Sequence, residues 1–221
     1  MEAVRHLENQ KNLDPRFDII MYYKIFIKII FILFFFQSTI NASQTSHRIE
    51  YLVNDNIITN YDIAQHFALN SILENIQITS NNKDQFYEKT INDLINMKLK
   101  QIKIKEYSIQ VESENMNYYE NYYFQSRNLD KEKILEIIKN SELDLNVLNE
   151  IIKTNIAWEK LTSGLFYHTV AISDSEINEL IKSDKSILPE TAEKILINRQ
   201  IKLKSDKFLR DLRAEANIEK R

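Results

Sequence analysis

Val53-Asn54-Asp55-Asn56-Ile57-Ile58-Thr59-Asn60-Tyr61-Asp62 holds a strand end, a turn, a second strand and a helix start in one short stretch. Ile49 to Val53 is a run of β-favouring residues leading into it. Asn54, Asp55 and Asn56 supply the turn, because Asn and Asp accept positive φ and bond to their own backbone. Ile57 and Ile58 resume the apolar character. Thr59 with Asp62 three residues later makes a capping box, with Asp in the place of the usual Glu. The stretch therefore predicts a small hairpin that opens directly into a helix. Ile63, Phe67 and Ile72 carry that helix's apolar side to about Asn75.

Helical spacing governs the rest of the chain. After a polar connection over Ile76 to Lys83, a long helix from Asp84 to near Ile109 carries Tyr87, Ile91, Leu94, Ile95 and Ile102, with Leu99 and Met97 beside them. Its lysines (Lys98, Lys100, Lys103, Lys105) spread round the cylinder and read as a solvated face. Ser113 caps a third helix through Met116, Tyr119, Tyr122 and Tyr123. Asp130 caps a short fourth with Ile134, Leu135 and Ile138. The fifth, about Leu143 to His168, is lined by Leu145, Leu148, Ile152, Ile156, Leu161 and Leu165, with Trp158 on a flank and Gly164 near its end. Ser173 and Glu176 form a second capping box for a sixth helix with Ile177, Leu180 and Ile181. Pro189 opens the last helix, where Ile197, Ile201, Phe208, Leu209 and Leu212 repeat. A two-stranded hairpin is marginal in water. A terminal strand around Ala216-Asn217-Ile218 is therefore predicted to join it, giving a mostly α fold with a small sheet built from both ends.

Composition agrees. The 221 residues are 43% hydrophobic and 28% charged, which is a foldable balance. One glycine excludes a phosphate-cradling loop, a dinucleotide fingerprint and a Gly-x-Ser-x-Gly elbow, so no nucleotide is expected as a partner. With no cysteine there is no disulfide, thiol chemistry or cysteine-held metal. The net charge of −3 argues against nucleic acid as a partner.

Residues 21–42 have another character. Lys24 and Lys28 precede Ile29 to Phe36, an unbroken apolar run too short to span a bilayer comfortably and suited to a secretory signal. Ala42 is a small residue before a cut at Ser43. The reading adopted is a signal peptide over 21–42. The alternatives are an uncleaved anchor, the one route to a membrane, or a buried helix. Residues 1–20 are polar and unpatterned: a disordered extension, or an upstream start with Met21 as the true one. The single domain is then 43–221, divided into an amino-terminal module over 48–183 and a closing helix and strand over 189–221.

No catalytic constellation stands out, and no cofactor or metal is expected. His6, His47, His66 and His168 show no metal-ligand spacing. His66 reads as a surface or boundary residue, and His168 as a partner for helix-terminal carbonyls. The aromatic cluster is more informative. Tyr118, Tyr119, Tyr122, Tyr123 and Phe124 cannot all face one core at 100° per residue. Either they divide between core and solvent-tolerant surface, or Met116, Tyr119, Tyr122 and Tyr123 contact an extended apolar peptide.

Val53 to Asp62 resembles the opening of the SurA family of periplasmic chaperones. Leu94-Ile95-Asn96-Met97-Lys98-Leu99, Ile109-Gln110-Val111-Glu112-Ser113-Glu114, Leu129-Asp130 and Val170-Ala171-Ile172-Ser173-Asp174-Ser175-Glu176 are similar to its later segments, in the same order. Asn198-Arg199-Gln200, Phe208 to Arg213 and Ala214 to Ile218 resemble its final helix and strand, so the likeness covers about 48–221. It implies a helical chaperone core whose last strand returns to the amino-terminal module. It also implies a periplasmic location and a role in holding unfolded outer-membrane proteins. The family's parvulin-type prolyl isomerase domains lie between the sixth and final helices. Ile181 to Pro189 leaves no room for one, so the expectation is a binding protein and not an enzyme. The rival expectations are a divergent prolyl isomerase and a membrane-anchored adaptor.

Overall fold

A computed structural model describes residues 47–221. The segments 1–20 and 21–42, with His6 and the proposed cut at Ser43, lie outside the described residues.

Strands β1 (Ile49–Val53) and β2 (Asn56–Thr59) form the hairpin. Its turn is tighter than expected, with Asn54 at φ 51° and Asn56 already paired with Val53. With glycine almost absent, Asn54, Asn75, Ser108 and Asn128 take the left-handed positions, and Asn is the side chain that tolerates them best after glycine. The long second helix stops at Glu106 and not near Ile109, because Ser108 adopts one of these conformations.

Seven α-helices follow among the described residues: α1 (Asn60–Leu73), α2 (Lys83–Glu106), α3 (Met116–Ser126), α4 (Lys131–Lys139), α5 (Leu145–Phe166), α6 (Asp174–Ser183) and α7 (Pro189–Glu215). Both capping boxes form, Thr59 with Asp62 and Ser173 with Glu176. The Asp130 carboxylate accepts from the Lys133 backbone N–H at 3.0 Å. A 3-10 turn over Ser113–Asn115 precedes α3, so that helix begins two residues later than expected. A second 3-10 turn, Tyr167–Thr169, ends α5. Gly164 has no atom near enough to exclude a methyl group, so it marks no close approach.

Strand β3 (Ile218–Lys220) returns to β1 antiparallel and gives the order β2-β1-β3. Asn54 and Asn217 lock the junction. The Asn54 backbone N–H donates to the Asn217 carbonyl at 2.8 Å, and the Asn217 N–H donates to Asn54 Oδ1 at 2.9 Å. Arg213, near the end of α7, pins α7 to α2 through Asn96 Oδ1 (2.9 Å) and Asn92 Oδ1 (2.6 Å).

Two apolar clusters form the core. One joins Val53, Ile58 and Ile63 to Ile91, Leu94, Ile95, Met97 and Leu99 of α2, with Leu209, Ala216 and Ile218 packed on it. The other gathers Leu69, Tyr123, Phe124, Ile134, Ile138, Leu148, Ile152 and Ile156. Ile151 touches both. Three expected core positions differ. Phe86 is buried and Tyr87 exposed, Leu145 lies outside, and Leu196 is buried where Ile197 is only half-buried. Each is a one-residue rotation of the stripe or a position in a helix's first turn, where little packs above it.

Candidate functional site

Five helices leave a pair of adjoining cavities, of about 330 and 540 Å³. Lys100, Arg127, Asn155 and Leu209 line both. His66, Asn70, Asp93 and Thr154 add to the smaller one, and Tyr122, Trp158, Glu159 and Asp206 to the larger. The lining is mixed, with more polar than apolar side chains, and not a purely apolar surface.

Trp158 organises the larger cavity. Its indole N–H donates to Ser205 Oγ at 2.9 Å, and its ring stacks on Phe208 at 5.5 Å and 6°. The Lys100 ammonium lies 5.9 Å from the same ring, within reach of a cation–π attraction. Lys100 therefore departs from the solvated face expected for the α2 lysines. Burial lowers its pKa below the usual lysine range, and the opposing fields of Asp206, Asp93 and Glu159 do not restore it. Burial pushes the Glu159 carboxyl up, against the pull of Arg127 and Lys100. Arg127 sits with its guanidinium 3.8 Å over the Tyr123 ring.

His66 is buried at 6% exposure, not a surface or boundary residue. Its α1 neighbour Gln65 is buried too and ties α1 to the start of α5, accepting from the Asp144 N–H at 2.9 Å and donating to the Glu142 carbonyl at 3.2 Å. Burial holds the His66 pKa below its ordinary 6.5, with Lys98 acting in the same direction and Glu150, Asp62 and Asp93 opposing. The unfolded chain then takes up a proton at a higher pH than the folded one. The His66 contribution to stability is fully present above pH 6.5 and is lost as pH falls below it, at up to about 1.4 kcal/mol per pH unit. Urea unfolding from pH 7.5 to about pH 5 is expected to show this slope, and H66Q is expected to flatten it. Equal slopes would refute the assignment.

The aromatic candidates separate. Tyr123 is buried, and Met116 and Tyr119 are half-buried against the second cluster. Tyr122 is 46% exposed at the larger cavity and Tyr118 is 68% exposed. Of the four residues named from the sequence, Tyr122 lines the larger of these two cavities, while Met116, Tyr119 and Tyr123 pack together on the second cluster. His168 meets the Tyr167 ring edge-on at 5.4 Å instead of bonding helix-terminal carbonyls. Sequence reasoning missed Lys100, Arg127, Glu159 and Ser205. Ser205 left a signal, a polar residue between Ile201 and Phe208 on the same stripe.

Among the described residues no group of His, Asp and Glu is placed to hold a metal, and no helix is long and apolar enough to cross a membrane. The chain matches no family model, and no curated protein sequence matches it.

Proposed function

We propose that this chain is an ATP-independent periplasmic chaperone, built like the helical core of the SurA family, that binds unfolded outer-membrane proteins and assists their folding or delivery. The observation that carries this reading is the closure of β3 onto β1, which ties the closing helix and strand to the amino-terminal hairpin. That return is the feature the family resemblance requires. The polar cavities and the open rings of Tyr122 and Tyr118 supply weak contacts of several kinds, which suit clients of differing sequence. Preference for the unfolded client lowers its free concentration by mass action, with no need for ATP.

Dilution of several urea-unfolded outer-membrane barrel proteins into buffer, followed by light scattering, tests the proposal. Equimolar purified protein is expected to cut aggregation by roughly half or more for unrelated clients, since binding only the unfolded state removes it from the aggregating pool. Protection of none, with tight binding to one folded partner, would favour the adaptor reading. Faster X–Pro isomerisation in a short peptide would favour the isomerase.

A further inference from the structure

The larger cavity has an imbalance of charge. Lys100, Arg127 and Lys202 line it, and none makes a salt bridge among the described residues. Only Glu159 and Asp206 oppose them on the same lining, also without salt bridges. In the adjoining cavity, Glu74 and Asp93 are both engaged by Lys89. One cation in this set is drawn well into the protein. Lys100 is half-buried against Trp158, and its contacts among the described residues include no hydrogen bond or ion pair. A desolvated ammonium costs stability unless an anion meets it. The fold places that ammonium at the junction of two cavities and beside an aromatic wall.

We propose that the cavity between α2, α5 and α7 is a carboxylate-binding site, where the Lys100 ammonium, resting on the buried Trp158 ring, receives a carboxylate of a bound peptide and the exposed Tyr122 ring packs the adjacent chain. This deepens the chaperone reading and rests on it, by naming what part of a client the cavity takes. Arg127, lining both cavities, adds a second cation on the approach. The carboxylate is either a chain end or an Asp or Glu side chain. Lysine suits such a role because it meets an anion as a point charge and needs no fixed fork geometry.

Trp158 is the chain's one tryptophan, so its emission reports the cavity directly. The full-length purified protein is titrated with three acetylated peptides that lack tryptophan and share an aromatic core. One ends in a free carboxylate, one is its amide, and one is an amide with a single Asp. At least one carboxylate peptide is expected to bind roughly tenfold tighter than the neutral amide, the order of a charge-assisted contact. Which of the two gains affinity identifies the source. K100M is expected to bring the ratio near one, and K100R to keep most of it. K100M removes a desolvated charge, so it is expected to melt no lower than the natural protein, which separates loss of preference from loss of fold. Equal affinity for all three peptides, no binding by any of them, or an undiminished ratio in K100M would overturn the proposal. Aggregation suppression measured on the same preparation keeps the two ideas apart. A protein that protects clients yet ignores the carboxylate loses only this inference.

Discussion

Replacing Ile218 by Asp is expected to destabilise the protein by about 2–3 kcal/mol, from lost apolar transfer and a carboxylate forced against an apolar cluster. Ile218 pairs with Val53 across β3 and β1 and packs on the cluster of Val53, Ile58 and Ile63. Val53 and Ile58 are fully buried, so a strand lifted from β1 wets the base of this cluster. The Asn54–Asn217 bonds and the bond from the Arg221 N–H to the Glu50 carbonyl (2.8 Å) would go with it. Glu219, one residue on, pairs with Arg221 on the surface, and E219A is expected to stay within about 0.5 kcal/mol of the natural protein. Urea unfolding of the two variants checks the contrast. Hydrogen exchange at Asn54 and Arg221 should accelerate in the first variant alone. Similar stabilities for I218D and E219A would mean that the terminal strand does not close the fold.

The hairpin, both capping boxes and the Asp130 cap were legible because each is settled within four residues, by a side chain and the backbone beside it. Strand β3 was legible for another reason. Two strands are too few, so a third is expected from the far terminus; the expectation around Ala216-Asn217-Ile218 falls two residues short of the observed Ile218–Lys220. The buried polar groups were not legible. His66, Thr154, Thr162 and Ser205 are all buried, yet a periodicity argument assigns polar residues outward by default. A neighbouring helix decides the burial of Ser205, since Trp158 meets it across α5 and α7, while the Thr162 hydroxyl is satisfied within α5 by the Trp158 carbonyl at 2.9 Å. Lys100 failed for the same reason. A lysine among lysines on α2 carries no local mark of facing a cavity that α5 and α7 complete.

Phe124→Ala is expected to cost about 3–5 kcal/mol, the range for emptying a buried aromatic site. Phe124 is 1% exposed and meets Tyr123 edge-on at 5.6 Å within the second cluster. Its loss opens a cavity that Ile134, Ile138 and Ile152 would have to collapse into together. The neighbouring rings carry the opposite expectation. Tyr118 and Tyr122 stand four residues apart, one helical turn, with their faces largely in solvent. Y118A/Y122A is expected to change stability by under about 1 kcal/mol while weakening protection of unfolded clients. Thermal melts and the light-scattering assay, run on both variants, separate the roles. Replacing Tyr119, Tyr122 and Tyr123 together would not, because Tyr123 belongs to the core and carries Arg127 on its face. Lost protection would then report unfolding as readily as lost contact. If the double variant keeps its fold and protects as well as the natural protein, neither ring contributes to the hold on clients, which must then come from the rest of the cavity lining.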